Sequence, residues 1–414
     1  MLKQILVLII IIMFMPFLTR QNPVSAQETF WEFQSIDTMK YSRDLAREKL
    51  NDPSLNATIE KQTQQIADTG ATHIAIATPY DAEFLPFLYR WVTAARRHNL
   101  QVWFRGNWSG WEGWFEYDRI DRAAHQDLTH QFIVNNPDLF ADGDVFTACP
   151  ECENGGPGDP RFIGDADGHR QFLIDEYHMT TRAFQEINKD VTTTFNSMNG
   201  DVARLIMDKE TTNALGGVVV IDHYVASPEQ LAFDIHQIAN ASGGAVVLGE
   251  FGAPIPDITG SMTDEEQAEW LDRALQLLVK EDRLAGLNYW VNTGGSTELW
   301  PADDPEKQGV NSITRAYSPQ VYSVYVKDNT ASSVSDARVV TSYGVYATDH
   351  NGYDQFPGLN AQESIVISAY GFEEVQLTLT KPSTKIELKR SPSDMLNKLI
   401  DMIHRLFNQT NMII

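Results

Sequence analysis

The residues able to do chemistry in this chain stand where apolar runs stop. AVVLGEFGAP, residues 245–254, is an apolar run that delivers a carboxylate, Glu250, and then breaks at glycine and proline. A charge at the end of a buried run is costly unless something pairs with it or uses it. Other apolar runs end in Arg105, Asn107 and Trp108; in Glu151, with Glu153 close behind; in Asn196; in Asp222, His223 and Tyr224; and in Asn288, Tyr289 and Trp290. Carboxylates, amides and aromatic rings dominate this set. It lacks the His-rich or Asp-rich groups of a metal site, and GDADG at 164–168 has the wrong context for a phosphate loop. Neither cofactor nor metal is therefore expected. Paired glutamates with aromatic platforms suit hydrolysis of a glycosidic bond: one carboxylic acid protonates the leaving oxygen, and the other attacks the anomeric carbon or activates water.

The elements that must position these residues alternate. Strand-like runs at 30–37, 72–81, 100–108, 144–154, 191–200, 217–225, 245–252 and 284–292 are separated by helical patterns at 54–70, 83–99, 119–135, 168–188, 201–216, 227–244 and 263–282. Apolar strands alternating with amphipathic helices imply parallel pairing with helices outside. Eight such units at this length match a (β/α)₈ barrel, an α/β fold whose active site lies at the C-terminal ends of the strands. The eighth helix is weakly marked, with only a short candidate at 309–317; a doubly wound open sheet is the alternative. The barrel is expected over 28–317.

Near Pro319 the texture changes to alternating strands without helices, predicting a small all-β unit over 320–382. Asn351-Gly352 is its hairpin signal and Pro357-Gly358 a further turn. The tail, 393–414, places Leu396, Leu399, Ile400, Ile403, Leu406 and Phe407 on one helical face. Such a helix docks on the protein or lies at a membrane or cell surface.

Within the barrel, the motifs resemble clan A glycoside hydrolases, the group that includes glycoside hydrolase family 5. LGEFGAP is similar to the stretch that carries the nucleophile at the end of strand 7, which implies that role for Glu250. DHYV is similar to the region after strand 6, which implies substrate and nucleophile contacts for His223 and Tyr224. Trp290 matches the aromatic that floors the sugar site nearest the cleaved bond. The group places its acid/base glutamate at the end of strand 4, usually as Asn-Glu; here the order is CPECEN. Glu151 and Glu153 share parity, so facing does not choose between them. Position along the strand favours Glu151, with Glu153 the alternative. The resemblance implies a retaining β-glycosidase acting on a β-linked poly- or oligosaccharide, with Arg105, Asn107, Trp108 and Asn196 also lining the substrate site. The competing reading is a non-catalytic barrel that binds glycan at the cell surface. The β unit resembles the carboxypeptidase-regulatory-like sandwich appended to secreted enzymes, through DHNGY and AYGFE.

Other features bound these readings. The formal net charge of −24 excludes a nucleic-acid binder, having no basic surplus to neutralise phosphates. Residues 1–26 read as a signal peptide: Lys3, an apolar Ile5–Leu18 too short for the ~20 residues of a span, then Val24 and Ala26 before Gln27. Export to the medium or cell surface is expected, with an uncleaved anchor the alternative. The only cysteines, Cys149 and Cys152, could close a disulfide, pack as free thiols or bind metal. The tryptophan-rich WFRGNWSGWEGWF, 103–115, reads as a carbohydrate-binding loop in which Glu112 is solvated, as is Glu116 just beyond it; it also contains the glycosylation sequon Asn107-Trp108-Ser109.

Overall fold

The computed structural model describes residues 29–392. The stretch expected to be a signal peptide, 1–26, and the helix expected over 393–414 lie outside the described residues. Eight parallel strands form one curled sheet: β1 (Phe33–Asp37), β2 (His73–Ile76), β3 (Gln101–Phe104), β4 (Val145–Phe146), β5 (Ser197–Asn199), β6 (Val218–Asp222), β7 (Ala245–Phe251) and β8 (Leu284–Tyr289). The order is β4-β3-β2-β1-β8-β7-β6-β5. A parallel bridge between Val145 and Thr192 joins the two ends, with Phe146 N–H donating to the Thr192 carbonyl at 2.8 Å. The expected barrel is therefore present, and the open sheet is not.

Its strands are short because the barrel needs only a few apolar residues per strand to fill its interior. Ala75, Trp103, Val145, Phe195, Val220 and Val247 form one buried cluster, with Phe33, Val218 and Ala285 packed against it. Trp103 packs edge-on against Phe195, with centroids 5.2 Å apart, and its indole N–H is satisfied by the Thr147 hydroxyl at 2.9 Å.

Outside the sheet run α1 (Leu55–Asp68), α2 (Leu85–Arg97), α3 (Arg122–Asn135), α4 (Ala166–Glu186), α5 (Gly200–Ile206), α6 (Pro228–Ser242), α7 (Asp264–Leu278) and α8 (Gly309–Tyr317). Each major helix buries one face; in α2 these are Phe87, Leu88, Trp91, Val92, Ala94 and Ala95. Caps fix the entries. Ser227 accepts from Gln230 N–H at the start of α6, and Thr263 and Glu266 form a capping box on α7. The weakly marked eighth helix is real, and long-range hydrogen bonds hold it. The Tyr317 hydroxyl donates to the Ser35 carbonyl at 2.8 Å, and Gln34 donates to the Tyr317 carbonyl at 2.8 Å.

Two expectations about the second unit need correction. It continues past 382: β9 (Gln320–Asp328) pairs in parallel with β15 (Ser383–Leu388) and antiparallel with β12 (Tyr353–Gly358). A second sheet contains β10 (Arg338–Val340), β11 (Val345–Ala347), β13 (Glu363–Ser368) and β14 (Val375–Leu379). The two sheets share a core that includes Val324, Val326, Phe356, Val339, Ile365 and Ile367. Asn351-Gly352 does not close a hairpin, because β11 and β12 belong to different sheets. The turn instead carries the chain across the sandwich. Pro357 and Gly358 lie within edge strand β12, where a residue without an N–H is tolerated.

The barrel interior generates a stability test. Trp103→Ala should lower unfolding free energy by about 3–5 kcal/mol in urea melts, because a fully buried aromatic leaves a cavity that eight strands cannot close.

Candidate active site

The C-terminal ends of the strands converge on Arg105. It follows β3, and its side chain is almost wholly buried. Its guanidinium donates to Asp37 at 2.8 Å, Asp222 at 2.9 Å, Glu250 at 3.0 Å and the Ser197 hydroxyl at 3.3 Å. Those partners end or begin β1, β6, β7 and β5. Burial alone would discharge Arg105, but the charges of Asp222, Glu250 and Asp37 offset this and hold it firmly cationic.

Glu250 is the penultimate residue of β7, just past an irregularity in its pairing with both neighbours, and only 6 % of its surface is exposed. Both of its oxygens are occupied as acceptors. Oε1 takes the Arg105 hydrogen bond, and Oε2 takes one from the Tyr224 hydroxyl at 2.7 Å. Burial pushes Glu250 up to about 7; Arg105 opposes this, and Glu151 and Asp37 add to it. Burial and the Glu250 charge hold the Tyr224 phenol well above its usual range, so it remains a donor. Burial likewise raises Asp222, against Arg105 and with the charges of Glu250 and Glu151. One cation thus faces three carboxylates.

The second carboxylate arrives differently from the sequence expectation. β4 ends at Phe146, so neither Glu151 nor Glu153 stands on a strand. The argument from parity and strand position falls with that ending. Cys149 and Cys152 are joined by a disulfide, and Glu151 sits inside the small ring at φ 44°, a left-handed conformation uncommon outside glycine. Its N–H donates to the Ser197 carbonyl at 2.9 Å, fastening the ring to β5. Burial raises Glu151, opposed first by Arg105 and then by Arg43. Glu153 lies behind it, 2 % exposed, accepting from Asn199 N–H at 2.6 Å. Burial pushes Glu153 up to about 7. Of the two, Glu151 is the one whose charge acts on Glu250.

The remaining expected site residues separate into rim and interior. Trp290 is half-buried at the end of β8, edge-on to Tyr224 with centroids 5.9 Å apart, and Lys40 lies over its ring at 5.7 Å. The His223 ring bonds Asp234 at 2.8 Å, and its backbone N–H donates to the Glu250 carbonyl at 2.9 Å. Asn196 precedes β5 and is buried. Asn107 is fully buried, accepting from Trp108 N–H and bonded to His125. Trp108 is core: its indole donates to Thr129 at 2.9 Å, and its ring packs edge-on to Tyr80 and Phe132. Trp103 and Trp111 are also buried, so the tryptophan-rich stretch is mainly packing. Glu112 is not solvated. It is half-buried and accepts from the Asn107 amide at 2.6 Å. Sequence reasoning missed Asp37, although its signal matches that of Glu250: an apolar run, here FQSID, ending in a carboxylate.

No protein-family model matches the chain, and no curated protein matches it. Solved structures do. A GH5_18 protein of Streptomyces cattleya in complex with Manβ1-4GlcNAc aligns at TM-score 0.52 and 12% identity, over 72% of this chain and 85% of that one. A GH5_18 protein of Bifidobacterium longum in complex with the same disaccharide aligns at 0.51 and 14% identity, over 73% and 84%. A β-glucuronidase of Bacteroides uniformis aligns at 0.44 and 12% identity; the chain covers 44% of that protein's length. The barrel is thus one that glycoside hydrolases share, and at these identities the likeness is one of fold.

The crowding of acids gives a pH-dependent test. The folded state raises Glu250 from its unfolded value of about 4.3 to about 7, so its contribution to stability is present at low pH and lost as pH rises through that window. The melting temperature of Glu250→Gln relative to wild type should therefore rise between pH 4 and pH 8. Equal gaps at both values would contradict the assignment.

Proposed function

We propose that the chain is an exported retaining β-glycosidase that hydrolyses a β-linked poly- or oligosaccharide. The observation that carries this is Glu250: a nearly buried carboxylate at the end of a barrel strand, held as an acceptor at both oxygens, with a second carboxyl close enough to act on its charge. Arg105 and Tyr224 oppose the upward pull of burial on Glu250, the direction a nucleophile needs. Glu151 has no charged partner within bonding distance among the described residues, and burial favours its protonated form, which is what an acid needs.

In the first step a Glu250 oxygen attacks the anomeric carbon as the glycosidic C–O bond breaks, and Glu151 delivers its proton to the leaving oxygen. In the second, Glu151 takes a proton from water, whose oxygen displaces Glu250 from the same carbon. Trp290 offers a face on which the sugar stacks. The apolar start of the chain supports export, and the amphipathic segment 393–414 supports attachment at a cell surface.

Purified protein should release sugar from at least one member of a panel of β-glucans, mannans, xylans and aryl β-glycosides. Glu250→Gln should lower that rate by about 10³-fold or more. Proton NMR of the first product should show the retained anomer, as expected for carboxyl groups about 5–5.5 Å apart. The inverted anomer would overturn retention. Binding without turnover across the panel would establish a glycan-binding barrel instead.

A further inference from the structure

Glu151 is placed by two kinds of bond, and neither belongs to a strand ladder. The first leads toward Glu250. Glu151 N–H donates to the Ser197 carbonyl at 2.9 Å, and the Ser197 hydroxyl accepts from Arg105 at 3.3 Å. The same guanidinium donates to Glu250 at 3.0 Å. A continuous path of hydrogen bonds thus runs from the backbone of Glu151 to the carboxylate of Glu250.

The second is covalent. The Cys149–Cys152 disulfide closes over Glu151, with the two Cα atoms 5.2 Å apart. The only side chains inside this ring are Pro150 and Glu151, and of these only Glu151 can carry a proton. Pro150 has its own φ fixed by its pyrrolidine. Glu151 stands at φ 44°, a region that a residue other than glycine keeps only when its surroundings impose it.

The ring is in turn gripped at both cysteines, each buried. The Asn107 amide lies 3.6 Å from the Sγ of Cys149. The oxygen of that amide bonds His125 of α3 at 3.0 Å, and His125 bonds Glu176 of α4 at 2.7 Å. On the other side, Trp111 donates its indole N–H to the Cys152 carbonyl at 3.2 Å. Gly155 and Gly156 pack so closely on Trp111 that a Cβ on either would collide with it. A ring this small removes little freedom from the unfolded chain, so its effect is local rather than global.

We propose that Cys149 and Cys152 are positioning residues for proton transfer: their disulfide holds Glu151 in its left-handed conformation at the end of the Ser197–Arg105–Glu250 path, so that the acid half of the site depends on the closed ring and the nucleophile half does not. This rests on the glycosidase reading and on Glu151 as its acid. The independence of the halves follows from the contacts. Glu250 takes its hydrogen bonds from Arg105 and Tyr224, which reach it from beyond the ends of β3 and β6 and not from the ring.

Cys149→Ser combined with Cys152→Ser opens the ring and leaves every carboxylate in the chain. On an alkyl β-glycoside, whose leaving group needs a proton, kcat/KM should fall about 10²-fold or more. On a dinitrophenyl β-glycoside, whose leaving group needs none, the first burst of dinitrophenolate should keep its rate within about threefold, because Glu250 still attacks. The step after the burst should slow, since water there needs Glu151 as base. Azide needs no base; it should restore that step by bonding the anomeric carbon as the Glu250 carboxylate leaves, giving the β-glycosyl azide. An unchanged rate on the alkyl glycoside, an equal loss on both substrates, or no restoration by azide overturns the proposal. Reduction of the folded wild type supplies a readout independent of how the variant folds. A phosphine and water convert the disulfide to two thiols and leave the phosphine oxide; the same split between substrates should appear, and oxidised glutathione, itself reduced as the ring closes again, should reverse it. Full activity on the alkyl glycoside with both thiols free also overturns the proposal. A wild type that cleaves neither substrate sinks the glycosidase reading and this inference with it. A wild type that cleaves both, without the split on opening the ring, sinks this inference alone.

Discussion

The structure depends on one buried guanidinium. Arg105 has no route to water, so its charge must be met inside the protein, and Asp37, Asp222 and Glu250 meet it from three strands. Removing one partner of a buried pair typically costs about 3–5 kcal/mol, because the other charge is left stranded. That cost orients the strand ends: β1, β6 and β7 must bring their carboxylates to the same few ångströms around the end of β3. The surplus of acid over base at this point leaves three carboxylates competing for a single cation, which satisfies only part of each.

The other half of the site is built by loops, and loops need a different kind of restraint. Glu151 lies beyond the end of β4, where no ladder holds it. A disulfide ring, a hydrogen bond to β5 and the packing of Trp111 under two glycines take the place of the ladder. The tryptophans that crowd this stretch serve the same end. Trp108 and Trp111 face inward and carry hydrogen bonds to Thr129 and to the Cys152 carbonyl. They are the scaffold on which the acidic loop rests.

The barrel was legible because strands buried on both faces read as apolar runs, and the helices between them carry clear amphipathic faces and caps. Glu250 was legible for the same reason: the apolar run Ala245–Leu248 of β7 leads into it. What failed was legibility beyond the ladders. TACPECEN looks like the continuation of a strand, yet after Phe146 the chain turns its bonds toward Phe104 and Phe195. Apolar content alone does not distinguish those two courses. Aromatic density on 103–115 did not show which way the rings point. Neighbours distant in sequence, Tyr80 and Phe132, decide that. Asn351-Gly352 marked a turn correctly as a local event, but which strands then pair is a property of the whole sandwich.

The burial of Asn107 has a consequence for how the protein is made. Its amide heads the sequence Asn-Trp-Ser, an acceptor for oligosaccharide in secretory compartments that carry out that transfer. In the folded chain both ends of that amide are spoken for, and none of the residue reaches the surface. A sugar attached while the chain is still unfolded would have no place to go. It would hold apart the two segments that Asn107 now joins. A host that glycosylates nascent chains would thus divide its product into modified molecules unable to close this region and unmodified ones that can.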